Sequence, residues 1–151
     1  MLVFAQESLS DVWDECLPLF HCHYTELNKN KDIVLDPDEA SYRVLESVNI
    51  LKVYTARLEG ILVGYCFFII MPHLHYKQSL TAQNDILYLH PKVRKGLNGY
   101  RFIKYVLTKL KELKPQRIFF HVKASVNFGP MLERLGAKVF ETIYSITLRD
   151  E

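Results

Sequence analysis

The stretch from Asn84 to Lys114, NDILYLHPKVRKGLNGYRFIKYVLTKLKELK, constrains the fold more than any other part of this chain. Ile86 to Leu89 is a short apolar run bounded by turn signals, which predicts a buried strand. Pro91 to Gly99 follows as a basic loop carrying Gly96 and Gly99. Beyond it Phe102, Ile103, Val106, Leu107, Leu110 and Leu113 recur at helical spacing and make one apolar face, with a basic face opposite. A strand feeding a glycine-bearing loop that opens a helix aims several backbone N–H groups at one point. The helix dipole adds partial positive charge there, so the geometry suits an anion such as a phosphate.

The spelling of the loop sets aside two phosphate binders: no Gly-Lys-Ser/Thr follows, as a Walker loop requires, and G-x-G-x-x-G is absent. The charge distribution supports an anionic ligand. The net charge is only +2, yet nine of the 19 Lys and Arg residues fall between Lys92 and Arg117, where Glu112 is the only acid. The same field is open to a nucleic-acid reading, against which stands the absence of any nucleic-acid motif. At 151 residues the chain is expected to be one domain, residues 1–151, with a core that needs no disulfides.

Three cysteines, Cys16, Cys22 and Cys66, without a signal peptide predict reduced thiols and a cytoplasmic protein. His21-Cys22-His23 lacks a second ligand pair, so no metal site is expected. The longest apolar run, Ile61 to Pro72, is too short to span a bilayer and is broken by Gly64, so no membrane contact is expected.

The rest of the chain punctuates itself. Leu2 to Ala5 predicts a first strand, and Ser8 or Ser10 an N-cap for a helix carrying Val12, Cys16, Leu19, Phe20, His23 and Leu27, bent at Pro18. After a polar segment, Asn28 to Asp32, the run Asp36-Pro37-Asp38-Glu39 reads as an N-cap, a proline at the first helical position and two first-turn acids. That second helix turns Ala40, Val44, Leu45 and Val48 inward. From Ile50 the period becomes that of strands: ILKVYTARL and ILVGYCFFIIMP form a hairpin around Glu59-Gly60. Pro72 to Gln83 reads as a polar connection carrying His73 and His75. Arg117 to Lys123 predicts a fifth strand, Asn127 to Gly136 a short helix, and Lys138 to Phe140 with Thr142 to Leu148 a last pair of strands.

Arg94-Lys95-Gly96-Leu97-Asn98-Gly99 resembles the pyrophosphate loop of the GCN5-related N-acetyltransferase (GNAT) family, R/Q-x-x-G-x-G/A. Leu62-Val63-Gly64-Tyr65 is similar to the family's third-strand spelling, and Met131 to Ala137 to its closing L-Y-E-K-x-G-F. With the order of elements, the resemblance covers nearly the whole chain, which looks most like the small GNAT proteins of tailed phages and prophages. It implies an α/β (α+β) GNAT fold: a mixed, mostly antiparallel sheet of six to seven strands with helices on both faces. It also implies transfer of an acetyl group from acetyl-CoA to the primary amine of an acceptor, a small molecule or protein, by direct attack. A homodimer is compatible with it, as is the host cytoplasm if the protein is phage-encoded.

Carried across by position, the resemblance gives Leu87, Tyr88 and Leu89 to the pantetheine and thioester through their backbone. Arg94, Lys95, Gly96, Leu97, Asn98, Gly99 and Tyr100 take the pyrophosphate, and Asn127 the pantetheine. Leu97 stands where the family has its central glycine, so the loop is expected to be reshaped around Gly96. Leu132 stands where the family has a proton-donating tyrosine; Tyr100, Tyr144 or water is left to protonate the thiolate. Asp85 and His121 are the candidate bases, each with a plainer alternative: Asp85 as a cap or ion-pair partner, His121 as a core histidine. Two other readings remain: a catalytically silent GNAT-fold protein that binds CoA or a partner, and, less favoured, a nucleic-acid-binding module.

Overall fold

The computed structural model of the protein describes residues 1–27 and 33–148. The elements, in order, are β1 (Leu2–Gln6), α1 (Leu9–Leu27), α2 (Glu39–Ser47), β2 (Leu51–Leu58), β3 (Ile61–His73), β4 (Tyr76–Leu89), a single 3-10 turn (Pro91–Val93), α3 (Asn98–Glu112), β5 (Arg117–Phe119) and α4 (Gly129–Arg134). The strands form one sheet in the order β1-β2-β3-β4-β5. All neighbours are antiparallel except β4 and β5, which run parallel. Among the described residues the sheet therefore has five strands, not six or seven. The expected polar segment from Asn28 to Asp32 lies outside the described residues.

Alternation along β3 sorts the core into two layers, because successive side chains leave a strand on opposite faces. Tyr65 and Phe67 meet Leu9, Val12, Trp13, Cys16, Leu19 and Phe20, the apolar stripe of α1. Cys66, Phe68 and Ile70 meet Phe102, Val106 and Leu110 of α3 on the other face. Helices thus cover both faces, as the runs FFII and ILYL predict. No helix among the described residues is long and apolar enough to cross a membrane.

Four local readings are corrected. The N-cap of α2 is Asp38 rather than Asp36, because Ser41 offers it both a backbone N–H (3.0 Å) and its hydroxyl (2.5 Å). Of the four residues expected inward, only Leu45 packs on the core; Ala40, Val44 and Val48 face solvent, and Tyr42 takes the remaining contact. Pro72 to Gln83 is mostly strand: β3 and β4 continue as a two-stranded arm whose tip, exposed all round, lacks the alternating burial that would have announced it. Lastly, β5 stops at Phe119 rather than Lys123, and residues 137–148 form no strand at all; with only three residues of β5 in register there is no long edge to receive them.

Candidate functional site

The position of β4 decides what the right-hand side of the sheet can do. Thr81, Ala82 and Gln83 pair with Arg117, Ile118 and Phe119, after which the two strands part. Asn84, nearly buried, marks the fork: its Oδ1 accepts the backbone N–H of His121 at 2.6 Å. From there Ile86, Leu87, Tyr88 and Leu89 pair with Phe67, Cys66, Tyr65 and Gly64 of β3 and, among the described residues, have no strand on their other side. Gly64 permits this close fit, since a Cβ there would lie 2.7 Å from Leu89 Cδ1 and 2.9 Å from the Tyr88 carbonyl oxygen. A strand edge left open beside a crevice offers backbone donors and acceptors to an extended ligand.

The loop after β4 aims at the same region. His90 caps the 3-10 turn, its Nδ1 accepting from Lys92 N at 3.2 Å. Gly96 takes φ +57°, the left-handed conformation that favours glycine. Leu97 has φ −98° and is exposed, so a leucine there carries no backbone strain, and Gly96 supplies the turn one position early. Leu97 is also the N-cap of α3 and makes no side-chain cap bond, while Asn98 spends its amide on the Val93 carbonyl (3.0 Å). Helix α3 therefore begins, among the described residues, without a side-chain cap at its positive end, just after the basic run that holds Lys92 and Lys95. Gly99 faces Met131, and an added Cβ would meet its Sδ and Cε at an ordinary 3.6 Å. Tyr100 is half-buried in the first turn of α3.

Arg94 is engaged elsewhere. Its Nε donates to the Leu89 carbonyl, and its two terminal nitrogens bond both carboxylate oxygens of Glu26 at 2.6 and 2.8 Å. The guanidinium lies 5.3 Å from the centre of the Tyr88 ring. This bidentate pair holds the Glu26 carboxyl below its ordinary range and ties the last turn of α1 to the end of β4. Beneath it His23 stacks on Tyr88 (4.9 Å between ring centres), with its Nδ1 2.7 Å from the Tyr65 hydroxyl. Burial pushes the His23 imidazole down to about 4, so it is neutral near pH 7.

Asp85 lies where the β3–β4 register shifts, Phe67 facing Ile86 and Phe68 facing Asn84, so nothing on β3 stands opposite it. The bulge turns the Asp85 carboxylate toward α2, where Oδ2 accepts the hydroxyl of Tyr42. Tyr42 is gripped by Trp13 and Phe67, and burial, then the bond to Asp85, raise its hydroxyl's pKa well above the ordinary value. His121 is exposed beyond the end of β5, not a core histidine, although the Asn84 bond brings its backbone alongside β4 next to Asp85. Asn127 closes a turn ahead of α4, its Oδ1 accepting from Gly129 N at 2.8 Å. Leu132 is buried and Tyr144 exposed.

The structure thus gathers Asp85, the open edge of Leu87 to Leu89 and the loop from Lys95 to Gly99 along one strand-loop-helix unit. Tyr42 and Glu26 complete the surroundings. In the sequence Tyr42 is one of nine tyrosines, and only its place one helical turn after the Asp38 cap, toward Trp13, distinguishes it.

No family model matches the sequence, and no curated protein matches it. Solved structures do. The protein is similar to a ribosomal-protein-alanine N-acetyltransferase from Brucella melitensis biovar Abortus 2308, with a TM-score of 0.72 and 21% identity over 99% of this chain and 100% of that one. It is similar to an aminoglycoside acetyltransferase from an uncultured soil metagenomic sample, with a TM-score of 0.74 and 16% identity over 98% and 97% of the two chains. A predicted acetyltransferase from Clostridium acetobutylicum, solved with acetyl-CoA, gives a TM-score of 0.71 and 12% identity over 98% and 97%. At these identities the likeness establishes the fold, which is that of GNAT acetyltransferases, and nothing in it points to a phage origin.

Proposed function

We propose that the protein is an N-acetyltransferase that takes the acetyl group of acetyl-CoA and passes it to the primary amine of an acceptor by direct attack. The observation that carries this reading is the parting of β4 from β5 after Gln83, which opens the Leu87–Leu89 edge beside the uncapped start of α3. In this reading the amides of the pantetheine arm bond that edge. The pyrophosphate lies on the backbone N–H groups from Gly96 to Tyr100, with Lys92 and Lys95 adding charge. The Clostridium neighbour, solved with acetyl-CoA, supports the choice of donor.

The neutral amine attacks the thioester carbonyl, a C–N bond forms, and the tetrahedral intermediate collapses with cleavage of the C–S bond to release the CoA thiolate. Asp85, held by Tyr42, takes the proton lost by the nitrogen, directly or through one water. Water returns a proton to the thiolate, because Leu132 has none to give. Rate is then expected to rise with pH through a single ionisation and to show no falling limb. Asp85→Asn should flatten or displace that rise while acetyl-CoA affinity stays within about twofold. Acetyl transfer to a panel of amines, followed against pH for both proteins, tests this. A bell-shaped profile restores a protein acid, and an unaltered profile in Asp85→Asn removes Asp85 as base.

A second reading, a GNAT-fold protein that binds CoA without catalysis, draws on Arg94, whose donors Glu26 and Leu89 already occupy, and on Leu132. Calorimetric binding of acetyl-CoA with no transfer to any amine favours it. The basic surface from Lys92 to Arg117 makes duplex DNA the control ligand, and binding of DNA without acetyl-CoA sinks both readings.

A further inference from the structure

A strand able to close the crevice is present in the sequence. Arg117 to Lys123, RIFFHVK, carries the strand-forming residues Ile118, Phe119, Phe120 and Val122. Pairing with β4 nevertheless ends at Phe119, level with Gln83. The chain is still held beside β4 just beyond that point: the Phe120 ring meets Phe68 edge-on at 5.4 Å, and His121 N–H donates to Asn84 Oδ1 at 2.6 Å. Asn84 is itself out of place. It stands opposite Phe68 at 7% exposure and is, with Thr55, one of two buried polar residues among those described. Asparagine is disfavoured in strands, and its amide is costly to bury unless it is hydrogen-bonded.

We propose that Asn84 is a positioning residue, a stop for the β4–β5 ladder that keeps the Leu87–Leu89 edge open; only the identity of what enters there rests on the acetyltransferase reading. In a continued ladder the N–H groups of the fifth strand bond main-chain carbonyls of β4, with the strands about 4.8 Å apart. Here a side-chain carbonyl takes the bond instead, so the backbone at His121 is held off from β4 by the length of an amide side chain. Its N–H is satisfied where it stands, and the next rung lacks a donor. The groups left free are those the site uses. His90 N–H donates to the Val63 carbonyl at 2.8 Å, so alternation along the strand turns the N–H groups of Leu87 and Leu89 away from β3, toward the crevice. The Leu89 carbonyl, on that same side, accepts from Arg94 Nε. A fifth strand continued to Lys123 would cover this edge.

The test is Asn84→Leu, which keeps the size of the side chain and removes its acceptor, so that the His121 N–H must turn to the β4 backbone. Amide exchange of Leu87 and Leu89 in the ligand-free protein should slow about tenfold or more against the wild type as the ladder closes. Acetyl-CoA affinity, by calorimetry, should fall about tenfold or more. Adding His121→Pro, which has no N–H and cannot continue a ladder, should restore both. Asn84→Val carries the same test if the leucine variant does not fold. Exchange at Leu87 and Leu89 as fast as in the wild type overturns the proposal, even where binding is weaker, because the loss is then not one of closure. Failure of His121→Pro to reopen the edge overturns it too. Exchange decides on Asn84 without any ligand: a wild type that binds no acetyl-CoA counts against the acetyltransferase reading. Slowed exchange with undiminished acetyl-CoA affinity supports the stop and sinks the placement of the cofactor on that edge.

Discussion

The two edges of the sheet are built to different standards. At the β1 edge, five successive residues pair with β2, Leu2 is buried, and Phe4 stacks on Phe102 of α3 at 5.3 Å. Arg57 there binds the carboxylates of Glu7 and Glu15 together, at 3.0 and 2.7 Å. At the β5 edge three residues pair, the strands part, and an apolar tail stands in water. The difference is one of closure: the β1 edge is paired along its length and pinned by ion pairs, whereas beyond Gln83 the β4 backbone is, among the described residues, left unpaired on its outer side. The open backbone and the turning loop lie on the other side, where a ligand can compete for them.

The comparison breaks most readily at the closed edge. Phe102→Ala removes a ring of α3 that is almost wholly buried against the sheet and stacked on Phe4 of β1, and should cost about 3–5 kcal/mol. Urea unfolding measures it, and a loss below about 1 kcal/mol would mean that the β1 edge is no firmer than the other. The next largest effect comes from His23. Its imidazole stays neutral down to about 4, whereas the unfolded chain takes up the proton near the ordinary 6.5. Stability should therefore fall as pH drops from about 6.5 to about 4, by up to about 3 kcal/mol. His23→Gln should lack that part of the slope, and identical slopes for the two proteins would refute the assignment.

Two smaller effects sharpen the contrast on the open side. Gly96→Val places a β-branched residue at φ +57° and should lower acetyl-CoA affinity tenfold or more, equivalent to about 1.4 kcal/mol. Calorimetry on a folded variant decides it; unchanged affinity removes the loop from the binding site. Smallest is Glu26→Gln, which loosens the tie between α1 and β4 and should cost under about 1 kcal/mol. Because Arg94 holds the Glu26 carboxyl below its ordinary range, the contribution is present at neutral pH and disappears as pH falls through that lowered value. The variant should match the wild type in acid and differ from it only above.

Much of this was legible in the sequence, for identifiable reasons. Strand-loop-helix order, the α1 stripe and the two-sided burial of β3 are periodic patterns, and periodicity reports directly on which face is covered. The early glycine was legible as well, since Gly96 is where the chain must turn. What could not be read depends on partners distant in sequence. Val44 and Val48 have the character of core residues, yet Tyr42 and Leu45 occupy the space that Trp13 and the sheet leave. The arm of β3 and β4 shows no alternation because neither of its faces is buried near the tip. The resemblance gave Arg94 to an anion, and its engagement by Glu26, 68 residues away, has no local signature.

The register of β4 carries a consequence of its own. Between Asn84 and Ile86 the strand holds one residue more than the ladder with β3 uses, and that supernumerary residue is Asp85. If it were excised, Asn84 would still face Phe68, Ile86 would still face Phe67, and every later side chain would keep its side of the sheet. Most single deletions within a strand turn the remainder inside out; this one should straighten it. A protein lacking Asp85 is thus expected to fold with its aromatic layer intact, at the loss of one hydroxyl–carboxylate bond to Tyr42. Asp85 is in that sense separable from the architecture that presents it, and the carboxylate proposed as base can be removed from the chain without dismantling the sheet.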